Sequence, residues 1–265
     1  MRPPPLRLLL IAGAVLGAVL GGSLLSRRDA TLRIIWPELA GDGALVLAPD
    51  GSSVLVDGGS DAAAVASWLG RELPFGRRRI DVVVLTRADS TTLPGQLAAL
   101  RRYEIGAALF PGDAVPSADL EAWQRLVGER NAVLRPMQPG DSFAAGACSL
   151  ATPAGGGERA ALLLRCGDTA AWFLQSIDDE LERELDAAPG PAALLVWPWL
   201  RRTDGAFARS TQPAALVFAE GDGEDVLSWN ARRIGDARLL HEQRHGRIEL
   251  SIADGVVIRS QRGTQ

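Results

Sequence analysis

Between Val83 and Leu97 the chain reads VVLTRADSTTLPGQL. An apolar run ends at Thr86, a short polar turn follows, and a helical pattern starts near Pro94. The end of a buried strand is where many α/β hydrolases carry metal ligands. This turn offers Arg87, Asp89, Ser90, Thr91 and Thr92. Zinc needs imidazole, thiolate or carboxylate donors. An arginine cannot lose its proton, a threonine hydroxyl is a weak neutral donor, and Asp89 by itself cannot hold the ion. A nucleophilic serine is no better supplied. Ser90 has an acid beside it, but a triad would have to import His241 or His245 from the far end of the chain. Those two histidines are four apart and would share a face on a helix. LLHEQRHGRIEL, however, reads as strand, turn and strand, which makes both surface or turn residues.

The elements around this turn follow from periodicity. Leu32–Trp36, Ala44–Ala48 and Ser53–Val56 are strand-like, with a hairpin signal at Pro49-Asp50-Gly51. Ser60 or Asp61 caps a helix that places Val65, Trp68 and Leu69 on one face. Ile80–Leu85 is a continuous buried strand, and Pro94–Arg102 a helix. A strand at Ala107–Phe110 and a helix over Ser117–Val127 follow, with Trp123 as a core anchor. Further strands are expected at Ala132–Leu134, Ala147–Thr152, Ala160–Cys166, Ala170–Leu174, Ala192–Val196 and Ala214–Ala219. Ile177, Leu181 and Leu185 make an amphipathic helix, and the chain closes on a hairpin around Asp254-Gly255. Strands first, then strands alternating with helices, imply one α/β domain of two mixed sheets with helices outside.

The chain has 265 residues, all 28 of its basic residues are arginine, and it carries 32 acids. The first 28 residues hold Arg2, Arg7, Arg27 and Arg28 and no acid, so the remainder has a net charge of 24 − 32 = −8. A domain that acidic is a poor general binder of nucleic acid. Leu8–Leu25 is apolar except for Ser23 and ends at Arg27-Arg28, long enough to cross a hydrocarbon core of about 30 Å. A cleaved signal peptide is the competing reading, with Gly21 and Ser23 as small residues before a cut. An uncleaved anchor fits the length and the arginine stop better. We therefore expect residues 1–28 to be a single-pass anchor in the inner membrane and residues 29–265 an extracytoplasmic domain. Cys148 and Cys166 fall in two strands joined by Gly155-Gly156-Gly157, which brings them near each other. Two buried free thiols are the expectation, and a disulfide the alternative if the domain lies outside the cytoplasm.

The segments LRIIWPELAGDGALVLAPDGSSVLVDGG, RRRIDVVVLT, AALLVWPW and HGRIELSIADG resemble the metallo-β-lactamase fold. The specific likeness is to the C-terminal domain of ComEC-type competence channel proteins, which take up DNA through the inner membrane. The resemblance implies an αββα four-layer sandwich preceded by one transmembrane helix. Of the family's first motif only Gly41-Asp42 remains, whereas the turn Asp57-Gly58-Gly59 is intact. Active members carry H-x-H-x-D-H after the buried strand, holding two zinc-type ions that generate a nucleophilic hydroxide. Here those ligand positions fall on Arg87, Asp89, Thr91 and Thr92. The later bridging carboxylate falls near Ser176, and a further histidine pair on Trp199 and Leu200. The resemblance therefore implies a vestigial site with no metal and no other cofactor.

Two positive features remain. Asp42, Asp57 and Asp89 fall in loops on one expected edge, where carboxylates can bind magnesium or calcium; alternatively Asp57 only braces the Gly58-Gly59 turn. That set would support a rebuilt nuclease or phosphodiesterase. Trp197 and Trp199, followed by Arg201 and Arg202, are a pattern that can stack on single-stranded nucleic acid; alternatively Trp199 fills the volume vacated by metals and histidines. The expected role is binding or scaffolding at a membrane, with a competence-type channel protein or single-stranded DNA as partner.

Overall fold

Apolar runs with turn residues between them dictate the first sheet. Strands β1 (Leu32–Trp36), β2 (Gly43–Leu47) and β3 (Ser53–Asp57) pair antiparallel in sequence. The β2–β3 turn closes on Asp50, whose carboxylate accepts from the Ser52 N–H at 2.9 Å. Helix α1 (Ala62–Glu72) is capped by Asp61 and buries Val65, Trp68 and Leu69. Then β4 (Arg79–Val84), α2 (Leu93–Arg102), β5 (Glu104–Pro111), α3 (Ala118–Glu129) and β6 (Val133–Met137) follow, the strands parallel from β3 to β6. Each parallel step is bridged by a helix, because a parallel neighbour needs a crossover.

The second sheet repeats this plan. Strands β7 (Ser142–Ala145) and β8 (Cys148–Ala151) lead through the small hairpin β9 (Gly155–Gly156) and β10 (Arg159–Ala160) into β11 (Leu162–Cys166) and β12 (Thr169–Phe173). After α4 (Asp179–Glu184), β13 (Leu194–Pro198), α5 (Ala206–Ser210), β14 (Ala215–Ala219) and β15 (Arg238–His241) add in parallel. A one-turn helix α6 (Glu242–His245) returns the chain to the first sheet as β16 (Arg247–Ile252) and β17 (Val256–Gln261). The orders are β17-β16-β1-β2-β3-β4-β5-β6 and β15-β14-β13-β12-β11-β8-β7.

The computed structural model describes residues 31–38, 42–156, 158–185, 189–219, 229–253 and 255–261. The anchor expected at Leu8–Leu25 and the turn residue Asp254 lie outside them. Among the described residues no helix is long and apolar enough to cross a membrane.

Three buried layers hold the sandwich. Ile34, Val46, Val56 and Val84 meet Leu162, Phe173, Val196 and Val217 between the sheets. Trp68, Leu100 and Trp123 cover the outer face of the first sheet, and Leu181, Trp197 and Phe207 that of the second. This is the expected αββα order. The cysteine expectation is corrected: Cys148 and Cys166 are opposite each other in the β8–β11 register, with Cα atoms 4.3 Å apart, and form a disulfide. The carboxylate of Asp50 also accepts from the Ala147 N–H at 2.7 Å, tying the β2–β3 turn to the β7–β8 turn of the other sheet. On the opposite flank Glu249 accepts from Arg33 and Arg247, both at 2.7 Å, and Arg247 reaches Glu72 of α1 at 2.6 Å. Burial would raise the Glu249 carboxyl, but those two guanidinium groups hold it at about 2.

Candidate functional site

The end of β3 delivers Asp57 and the end of β4 delivers Thr86 to one edge of the sandwich. Asp57 has φ 54°, in the left-handed region that aspartate tolerates better than most residues. That backbone turns its carboxylate inward, where it accepts from the Thr86 N–H at 2.8 Å, the Thr86 hydroxyl at 2.7 Å and the Gln175 amide. Burial pushes the Asp57 carboxyl up to about 6, against the hydrogen bonds from Thr86 and Gln175 and the charge of Arg87, which pull it down. Gly58 and Gly59 let α2 approach. A Cβ on Gly95 would land on the Gly58 carbonyl oxygen, and the Gly95 N–H donates to Gly59 at 3.1 Å. Asp57 thus braces the turn and the β3–β4 junction.

The positions after Thr86 bind one another. Arg87 pairs with the Asp89 carboxylate and donates to the Thr91 hydroxyl at 2.7 Å. Asp89 in turn accepts from the Thr91 N–H at 2.8 Å and from its hydroxyl at 2.7 Å. Thr92 is buried and bonds the Arg87 carbonyl. Ser176, also buried, lies 3.3 Å from the Thr86 hydroxyl. Asp178 caps α4 rather than facing the cleft, and pairs with Arg159 at 2.7 Å.

The three carboxylates expected to converge do not form a metal cage. Asp57 is sealed behind Thr86 and Gln175, Asp89 is held by Arg87, and Asp42 lines a separate cleft. Among the described residues no group of three or more His, Cys, Asp or Glu side chains is placed to hold a metal ion. The stacking reading of Trp197 and Trp199 is not met, since both rings are buried. β13 alternates Leu194 and Val196 inward with Leu195 and Trp197 outward, so Trp197 is fully buried in the outer layer. It stacks on Phe207 at 6.3 Å and donates to the Arg202 carbonyl at 3.2 Å. Trp199 sits in the same layer, edge-on to Phe218 at 5.0 Å and His241 at 5.8 Å, with Arg232 at 4.3 Å over its ring. Neither ring offers a stacking surface. Arg201 is turned toward Asp179 and Glu182, and Arg202 is exposed and paired with Asp204.

A cleft opens beside this junction, at the ends of β12, β13 and β14. It is lined by Trp36, Asp42, Gln175, Val217, Phe218 and Glu242, and its empty volume is about 330 Å³ with open solvent included. The C-terminal ends of parallel strands are where α/β sheets bind ligands. Sequence reasoning missed Glu242 and misplaced His241. His241 is fully buried, and its Nδ1 accepts from the Gln243 N–H at 3.2 Å, capping α6. The His245 ring stacks on Trp229 at 5.6 Å. Burial pushes the Glu242 carboxyl up to about 7, with only its own backbone N–H pulling it down. The one available signal was a histidine-acid pair at the end of the apolar run RLLHE.

No family model matches the sequence, and no curated protein is significantly similar to it. Solved structures do match. The chain is similar to the metallo-β-lactamase fold protein YhfI of Bacillus subtilis, with TM-score 0.57, 16% identity, and coverage of 87% of this chain and 100% of that one. It is also similar to Zn(2+)-bound PqqB of Methylobacterium extorquens, with TM-score 0.53, 13% identity, and coverage of 79% and 97%. The chain has the metallo-β-lactamase fold. A variant of the CmlA β-hydroxylase shares this fold over 83% of this chain and 54% of its own length, with TM-score 0.56 and 13% identity. Metallo-β-lactamase-fold proteins are often metal-dependent hydrolases, and the PqqB neighbour is zinc-bound. The residues at this chain's β4 turn do not fit a two-zinc centre. They present a guanidinium, two hydroxyls and one carboxylate already engaged by that guanidinium.

Proposed function

We propose that this chain is a membrane-anchored metallo-β-lactamase-fold domain of ComEC type that works as a scaffold and not as a two-metal hydrolase. The observation that carries the reading is the closed set Arg87–Asp89–Thr91, in which a fixed cation stands where a metal-dependent hydrolase needs anionic or imidazole donors. The Cys148–Cys166 disulfide supports an extracytoplasmic domain, because such bonds persist in oxidising compartments. The hydrophobic Leu8–Leu25 segment supports anchoring in the inner membrane. The net charge of −8 after residue 28 and the burial of Trp197 and Trp199 favour a competence-type channel protein over single-stranded DNA as partner.

The test uses the full chain in mild detergent, supplied with zinc or manganese. Hydrolysis of bis(p-nitrophenyl) phosphate and of single-stranded DNA is measured beside zinc stoichiometry. The expected result is turnover at the blank rate and no stoichiometric zinc. Turnover that disappears in Asp89→Asn would overturn the reading. Membrane fractions washed with alkaline carbonate test the anchor, which should keep the chain in the pellet.

A further inference from the structure

The connection from α1 to β4 reads RELPFGRRR from Arg71 to Arg79, four arginines and one acid around a phenylalanine. It closes on a tight turn. The Arg77 N–H donates to the Pro74 carbonyl at 2.9 Å, and Gly76 supplies the left-handed φ of 80° that the third residue of such a turn needs. Phe75 takes the second position and is fully exposed. The Arg77 side chain fixes the turn to the sheet, donating to the Gly51 carbonyl in the β2–β3 turn, to the Asp81 carboxylate and to the Arg79 carbonyl. A single exposed ring is ordinary on a protein surface. Its surroundings set this one apart.

Cations gather at this end of the sandwich. Arg79 is level with Glu104 at the start of β5, and the Glu104 N–H donates to the Arg78 carbonyl at 2.8 Å, so the end of α2, with Arg101 and Arg102, reaches the same rim. Of the acids here, Asp81 is met by Arg77 and Arg79, Glu72 by Arg247, and Glu104 is exposed. Among the described residues Arg78, Arg101 and Arg102 are exposed and pair with no acid.

The chain also enters the domain at this end. β1 and β3 run alike, since each is antiparallel to β2, and β4 is parallel to β3. Arg33 is level with Leu47 and Leu47 with Ser53, whose N–H donates to Asp81 at 2.9 Å. The starts of β1 and β4 are three strand spacings apart, roughly 15 Å. Five residues separate Leu25 from Thr31, and an extended chain of that length spans no more than about 20 Å.

Resting on the reading of Leu8–Leu25 as an anchor, we propose that the α1–β4 turn is a second, interfacial membrane contact, in which Phe75 enters the headgroup layer and Arg78, Arg101 and Arg102 meet lipid phosphates. The occupant is the anionic bilayer that holds the chain's own anchor. An apolar side chain and a basic rim together hold a surface that neither holds alone. An anionic bilayer repels a domain with a net charge of −8 in any other orientation, so the basic rim selects the end that faces the lipid. Asp57 and Thr86 lie at the opposite ends of β3 and β4, so the edge with the Arg87–Asp89–Thr91 turn faces away from the membrane.

The test uses the full chain reconstituted into phosphatidylcholine vesicles with and without phosphatidylglycerol. A fluorophore is placed on Pro74→Cys or on Leu200→Cys, both exposed, the second beyond the end of β13 at the opposite edge. The native cysteines are bridged and do not react. Nitroxide carried on lipid should quench the label at 74 about threefold more than the label at 200, with a larger excess when phosphatidylglycerol is present. Phe75→Ser and Arg78→Glu, each added to Pro74→Cys, should remove about half of that excess or more. Equal quenching at the two positions overturns the proposal, as does an excess unchanged in both variants. Protection of position 74 from aqueous iodide without quenching by nitroxide lipid also overturns it, because a protein partner or a second copy then covers the turn. A chain that stays in the carbonate pellet with position 74 in water refutes this contact and leaves the anchor. A chain that washes out of the pellet refutes the anchor, and with it the proposed orientation.

Discussion

Thr86 gives both its backbone N–H and its hydroxyl to the carboxylate of Asp57, at 2.8 and 2.7 Å. One residue thereby satisfies both oxygens of a fully buried acid at the junction of β3 and β4. Thr86→Val keeps the shape and removes the hydroxyl. It should lower stability by about 1–3 kcal/mol, the cost of stripping a donor from a buried carboxylate. Thr86→Ser should recover most of that loss. Urea unfolding of the two variants decides the matter, with the midpoint as the readout.

Gly95→Ala tests the helix approach. Alanine favours helices, so an isolated α2 would gain stability from the change. Here the added Cβ falls on the Gly58 carbonyl oxygen, which is backbone and cannot swing away. We expect a loss of about 3 kcal/mol or more. A variant as stable as the parent would mean that the close approach is not real.

The Cys148–Cys166 bond spans 18 residues of sequence. Loop-closure entropy for a loop of that size predicts a loss of about 3 kcal/mol on reduction. Thermal melts with and without reductant should show the shift, and alkylation before and after reduction should count two protected thiols.

The acids pull stability in opposite directions with pH. Asp57 and Glu242 have folded pKa values raised to about 6 and about 7, so the folded state holds their protons longer than the unfolded chain does. Their contribution is most favourable below the unfolded carboxyl range and is lost as pH rises through 6 to 7. Glu249 is the reverse, held at about 2, so its stabilisation is present above its ordinary value of 4.5 and is lost as pH falls toward 2. Glu242→Gln should therefore be more stable than the parent at pH 8, by on the order of 2 kcal/mol, and no more stable near pH 4. Melting curves across that range would show the difference closing on acidification.

Much of the architecture could be read from the order of apolar runs and turns. Pro49-Asp50-Gly51 marked a hairpin, the Val65, Trp68 and Leu69 spacing marked α1, and the continuous Ile80–Leu85 run marked a strand covered on both faces. That same continuity hid the orientation of β13. A strand buried on both sides has no polar-apolar alternation, so nothing in LLVWPW says that Trp197 and Trp199 point away from the cleft. The disulfide needed the β8–β11 register, which periodicity does not give. Glu242 was invisible for another reason. It lies in the charged stretch HEQRH, which reads as solvated, whereas in the fold it lines a cleft with Trp36, Phe218 and Gln175, none of them near it in sequence.

Asp50 joins the β2–β3 turn to the β7–β8 turn, and Cys148 begins at the second of these turns. These fastenings lie at the end of β2 and β3 farthest from Asp42 and Asp57. The two sheets are therefore stapled at both ends of β2 and β3, by Asp50 at one and by the Asp57–Gln175 bond at the other. The sulfur bridge is confined to the second sheet, so cutting it would slacken the β8–β11 pair without parting the sandwich.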